Sequence, residues 1–163
     1  MRCAISALAA LVLQCAGPLA PAAWAVDTEE TPAASQADPD YVAGKKAVAA
    51  EDWNSAIALL SKAALRDDNN ADVHNLLGFS YRHAGDFERA FAQYNRALSL
   101  NPRHLGAHEY IGVAYLLQDD LPKADEHLAA LAKICLVPCE EYEDLKKEID
   151  EYRERHAAAS ARH

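Results

Sequence analysis

Clustered positive charge is what this sequence most lacks. Its 163 residues carry 16 Lys and Arg against 25 Asp and Glu, a net charge of −9. No stretch gathers the basic residues together. Nucleic acid and anionic membrane surfaces are held through such clusters, so neither is an expected partner. Long apolar runs are missing too. The longest, from Ile5 to Ala16, is about a dozen residues, and a membrane-spanning helix needs roughly 20. There is no glycine-rich phosphate loop, nucleophile elbow, paired-carboxylate site or Cys-x-x-Cys-His haem attachment motif. An enzyme is therefore not expected, nor is a cofactor or a bound metal.

Cysteine is scarce, with four in all, and the N-terminus decides how many matter. Arg2 gives a short positive start, the apolar run comes next, Gly17-Pro18 ends it, and Ala23-Trp24-Ala25 places small residues where a signal peptidase reads. That is the layout of a cleaved secretory signal over residues 1–25, which implies a periplasmic or otherwise exported protein with no membrane insertion after cleavage. Cys15 follows Gln14, where a lipobox would carry a small residue, so cleavage after Ala25 is expected in place of lipidation. Cleavage removes Cys3 and Cys15. The pair Cys135 and Cys139 then remains in an oxidising compartment.

Residues 26–36 have scattered acids, Pro32 and no apolar periodicity, and read as a disordered acidic leader. From residue 37 onward the chain is periodic on a longer scale. Gly44, Gly78 and Gly112 stand 34 residues apart, as do Ala56, Ala90 and Ala124, and Asp52, Asp86 and Asp120. Trp53, Phe87 and Leu121 keep the same step. A 34-residue period is that of paired-helix arrays, whose units bury their apolar faces only by stacking. The expected units are 37–70, 71–104 and 105–138. In the middle unit, Leu77, Tyr81 and Ala84 form a helical stripe. Gly85 closes that helix and Asp86 caps the next. A last helix from Glu140 to about His156 puts Tyr142, Leu145, Ile149 and Tyr152 on one face, as a stack-ending cap needs. Residues 157–163 read as a disordered tail.

These residues resemble the tetratricopeptide repeat family. Leu77-Gly78, Tyr81, Ala90, Tyr94, Ala97 and Pro102 stand where that family expects them, with His74 in place of a usual Trp. The resemblance implies an all-α array of antiparallel helix pairs in a right-handed superhelix. It also implies a partner protein or peptide bound in a concave groove lined by the first helices. Carried over, the groove presents Tyr41, Lys45 and Val48, then Asn75, Phe79 and Arg82, then Glu109, Val113 and Leu116. Val48, Val113 and Leu116 can equally pack between neighbouring units. Some members grip a C-terminal carboxylate with Lys, Asn and Arg. Here Leu76 replaces the second-unit Asn, and Gly106 and Tyr110 leave the third unit without a basic residue, so that mode is not expected.

Cys135-Leu-Val-Pro-Cys139 admits three readings: a structural disulfide pinning the third unit to the last helix, a redox-active pair, or half of a metal site. Redox pairs usually have Cys-x-x-Cys spacing, and two thiolates need further ligands to hold a metal. His127 is the nearest candidate ligand. His104 and His108 have i, i+4 spacing, but the helix is expected to begin between them, which leaves them as surface or packing residues. An exported adaptor is the leading expectation, with a thiol-redox or metal-handling protein as the alternative and self-association open.

Overall fold

The computed structural model describes residues 38–160; the expected signal segment and acidic leader lie outside the described residues. Within them the chain forms seven helices and no strand. These are α1 (Pro39–Ala49), α2 (Trp53–Arg66), α3 (Ala71–His83), α4 (Phe87–Leu100), α5 (Leu105–Leu116), α6 (Leu121–Ile134) and α7 (Glu140–Ser160). The fold is all-α, an array of antiparallel helix pairs. None of these helices is long and apolar enough to cross a membrane.

The periodic residues make the pairs. Asp52, Asp86 and Asp120 cap α2, α4 and α6, each carboxylate accepting from the backbone N–H three residues on: Ser55 at 3.1 Å, Arg89 at 3.0 Å and Lys123 at 3.2 Å. Such caps satisfy a donor the helix cannot. One residue before each cap, the chain turns through positive φ, at Glu51 (56°), Gly85 (80°) and Asp119 (57°). Inside the pairs, a Cβ on Gly44 would stand 2.7 Å from Leu60, and one on Gly78 would stand 2.6 Å from the Tyr94 ring. Only a hydrogen there lets the two helices close.

Apolar burial falls into two clusters. The first joins Leu60, Val73, Leu77, Tyr94 and Ile111 across the three pairs. The second joins Leu116 and Leu131 to Leu145, Ile149 and Tyr152 of α7. Tyr142 packs against it at the edge, so the apolar face expected of the last helix does close the stack. Helix α7 continues to Ser160, where the composition leads one to expect a disordered stretch from residue 157. Its final turns carry Ala157, Ala158 and Ala159, strong helix formers that extend a helix already nucleated by packing.

Candidate partner-binding face

Helix α3 supplies the centre of this face. Asn75, Phe79 and Arg82 recur at i, i+4 and i+7, one stripe of a 3.6-residue helix. The rings around Phe79 tie the three pairs together. Its centroid lies 5.9 Å from Trp53 of α2 and 4.8 Å from Tyr110 of α5. His83, one turn along α3, stands 4.4 Å from Phe79 and stacks on Trp53 at 4.3 Å. Arg82 lies over the Phe79 ring at 5.1 Å, and its Nη2 donates to His83 Nε2 at 3.1 Å. Burial, then the Arg82 charge, push His83 below the usual histidine range, which keeps that nitrogen free to accept.

Three polar atoms here are buried without a hydrogen-bond partner: Asn75 Oδ1, Arg82 Nε and the Tyr94 hydroxyl. Glu109 of α5 completes the setting. Burial, reinforced by Asp144, Glu141 and Glu140 of α7 and opposed by Arg82, raises its carboxyl to about 7.

Not every residue expected in the groove lies open. Tyr41 is half-buried, with the Lys45 ammonium 5.6 Å from its ring centroid. Lys45 is exposed, and Val48 packs against the first core cluster. Asn75 is only 6% exposed. Val113 packs against the second cluster, and Leu116, also 6% exposed, belongs to it. Leu116 is thus core and not groove lining, because α7 lies across that end of α5. The open part of the face runs from Lys45 through Phe79 and Arg82 to Glu109.

The cysteines sit apart from this face. Cys135 caps the end of α6, and Cys139 lies 6.0 Å away, Cα to Cα, with the sulfurs 2.12 Å apart. Between them Leu136 (99% exposed) and Val137 (74%) point outward. His127 does not approach them. Its Nδ1 lies 3.0 Å from His108 Nδ1, and His108 Nε2 donates to the Pro102 carbonyl at 3.0 Å. His104 caps α5 by accepting from the Ala107 N–H at 3.1 Å, so the helix does begin between the two histidines. No group of three or more His, Cys, Asp or Glu is disposed to hold a metal ion among the described residues.

Residues 71–104 match the sequence model of the tetratricopeptide repeat family. That repeat is the α3–α4 pair at the centre of the face, with the loop after it. The human protein O-mannosyl-transferase TMTC3 is 31% identical over 75 residues, which is 46% of this chain; the match spans 8% of the length of that curated relative. Among solved structures, the Sgt2 tetratricopeptide domain from Aspergillus fumigatus superposes with a TM-score of 0.64 at 18% identity, covering 75% of this chain and 80% of that one. The first such domain of Spaghetti (RPAP3), bound to the HSP90 peptide SRMEEVD, gives 0.61 at 20% identity, covering 69% and 89%. MamA AMB-1 gives 0.55 at 25% identity; the match covers 59% of this chain and little more than half, 56%, of that one.

Within this repeat frame, three contributors to the face escape sequence reasoning: Trp53, His83 and Tyr110. Trp53 reads as a packing residue of α2, and only its position at the first turn, beside the end of α3, brings it to Phe79. The i, i+4 spacing of Phe79 and His83 is the available signal.

Proposed function

We propose that this protein is an exported, non-catalytic adaptor that holds a segment of a partner protein against the face formed by α1, α3 and α5. The observation that carries this reading is the aromatic run Trp53–Phe79–Tyr110. It draws one ring from each helix pair to one place, with Arg82 laid over the middle ring. Aromatic side chains anchor interfaces because they bury large areas with few rotors to freeze, and arginine because its planar guanidinium stacks on rings while offering five donors. The likeness to a domain solved with a bound peptide supports the same use of this fold.

The leader layout of residues 1–25 supports export to the periplasm. The Cys135–Cys139 geometry supports an oxidised, structural pair in that compartment, closing the turn between α6 and α7. The thiol-redox and metal-handling alternative gains nothing from the surroundings: the one histidine considered as a ligand, His127, is turned to His108.

The test uses the full chain beside a Phe79→Ala, Arg82→Ala variant, with helicity matched by circular dichroism. Proteins retained by the first and lost by the second place the partner on this face. Equal retention by both rejects the reading.

A further inference from the structure

The α5–α7 end of the face has an excess of one charge. Glu109 of α5 lies there, where α7 packs on α5 through Leu145 against Gly112, and Glu140, Glu141 and Asp144 on the first turns of α7 are near enough to raise its carboxyl. None of the four has a cation within ion-pair distance among the described residues. Arg82 is the positive group that faces Glu109, and it is held over Phe79 and against His83. Tyr94 of α4 and Tyr110 of α5 are further titratable groups set around Glu109, and burial keeps both phenols neutral.

A second, independent feature lies one helix away. Asn75 stands 34 residues before Glu109, at the same place in its own pair. Its side chain fills the seam between α3 and α5, with Nδ2 3.3 Å from where a Cβ on Gly106 would stand, one turn before Glu109 and Tyr110. Although Asn75 is only 6% exposed, its Oδ1 accepts nothing. An unmet acceptor of this kind costs stability and is normally filled. The pair of rings next to it, Phe79 and Tyr110 at 4.8 Å, offers an apolar wall to the stem of a long side chain.

An acceptor, four carboxylates and an aromatic wall have one common complement. We propose that the partner segment presents a lysine or arginine side chain, whose stem lies on Phe79 and Tyr110 and whose cation enters between Glu109 and the Glu141 and Asp144 carboxylates. Such a group would convert like-charge repulsion into charge-assisted hydrogen bonds. The same carboxylates would repel an acidic peptide such as the SRMEEVD bound to the RPAP3 domain. This inference rests on the adaptor reading and narrows it to the chemistry of the partner.

The test is an array of nonapeptides, apolar frames whose central residue is arginine, lysine, glutamine or glutamate, probed with the full chain. Retention should favour arginine and lysine. It should fall by about tenfold or more in Glu109→Gln, as expected when a close interfacial charge pair loses one partner. Glu141→Gln, Asp144→Asn, at a half-buried and an exposed position, should weaken retention less and flatten its salt dependence. Phe79→Ala should abolish retention of every peptide. If Phe79-dependent peptides show no preference for a basic centre, or if the preference survives Glu109→Gln, the cation inference is wrong and the adaptor reading stands. If nothing is retained, or retention ignores Phe79, both are overturned.

Discussion

Gly112 lies against Leu145: a Cβ on the glycine would stand 2.7 Å from Leu145 Cδ2 and 2.8 Å from Cδ1. The equivalent glycines, Gly44 and Gly78, meet Leu60 and Tyr94 of their own second helices. The 34-residue register would give Leu128 of α6 to Gly112, yet the atoms nearest that Cβ belong to Leu145 of α7. The last helix is therefore inserted against the third pair, which is why it buries Leu116 and brings its acidic first turns over Glu109.

This contact predicts how α7 is held. Gly112→Ala should destabilise the protein by about 1–3 kcal/mol through overpacking, and Leu145→Ala by about 2–5 kcal/mol through the cavity it leaves. The double variant should cost less than the sum, since the alanine methyl enters space the leucine vacates. Urea unfolding followed by circular dichroism measures all three. Strict additivity would mean the two residues do not share one contact.

The three turns make an internal control on backbone strain. A Cβ on Gly85 meets nothing within 4 Å, so Gly85→Ala tests conformation alone and should cost about 1 kcal/mol. Glu51 holds the same left-handed turn with a side chain, and Glu51→Gly should gain up to about 1 kcal/mol. Asp119→Gly should gain less, because Asp119 also accepts from the Tyr152 hydroxyl at 3.3 Å. The melting temperatures should rise from Gly85→Ala through Asp119→Gly to Glu51→Gly.

Much of this is legible in the sequence, because the array repeats. Asp52, Asp86 and Asp120 announce their caps by spacing, and Gly44 and Gly78 announce close approach. The centre of the face is legible for the same reason: Phe79 and Arg82 follow from register alone. What register cannot supply is the end of the array, where α7 has no counterpart. There Leu116 is lost to the groove and Glu109 acquires its carboxylate neighbours. Trp53 is hidden because a residue at a helix start can serve two interfaces.

The turn between α6 and α7 is held by packing, and the two cysteine sulfurs there lie 2.12 Å apart. Arg153 of α7 also pairs with Asp125 of α6 at 2.8 Å. If the cysteines are oxidised, reduction should cost about 2 kcal/mol or less, the chain-entropy value for so short a loop. Helical content should not change, since Leu145, Ile149 and Tyr152 keep α7 in place. Circular dichroism melts with and without reductant make the comparison. Loss of α7 helicity on reduction would show that the bridge, and not the apolar face, holds it.

Two half-buried groups have shifts of opposite sign between pH 4 and 7. Burial, then His108, lower His127 to about 4, so the unfolded chain binds the extra proton more readily below about 6.5. Stability from His127 is complete above that pH and is lost as pH falls towards 4. Glu109 has the opposite sign. Raised to about 7, it binds its proton more tightly in the folded state, and its contribution is lost as pH rises through 7. The wild type should therefore show a shallow dependence of melting temperature on pH across this window. His127→Gln imitates the preceding pair, where Gln93 lies 2.7 Å from His74 Nδ1. It should remove the acid-side loss, so that stability falls from pH 5 to about 7 and levels off above it. Glu109→Gln should do the reverse, raising the melting temperature at pH 8 by a few degrees and leaving it nearly unchanged at pH 5. Parallel curves for the three proteins would show that neither group is coupled to folding.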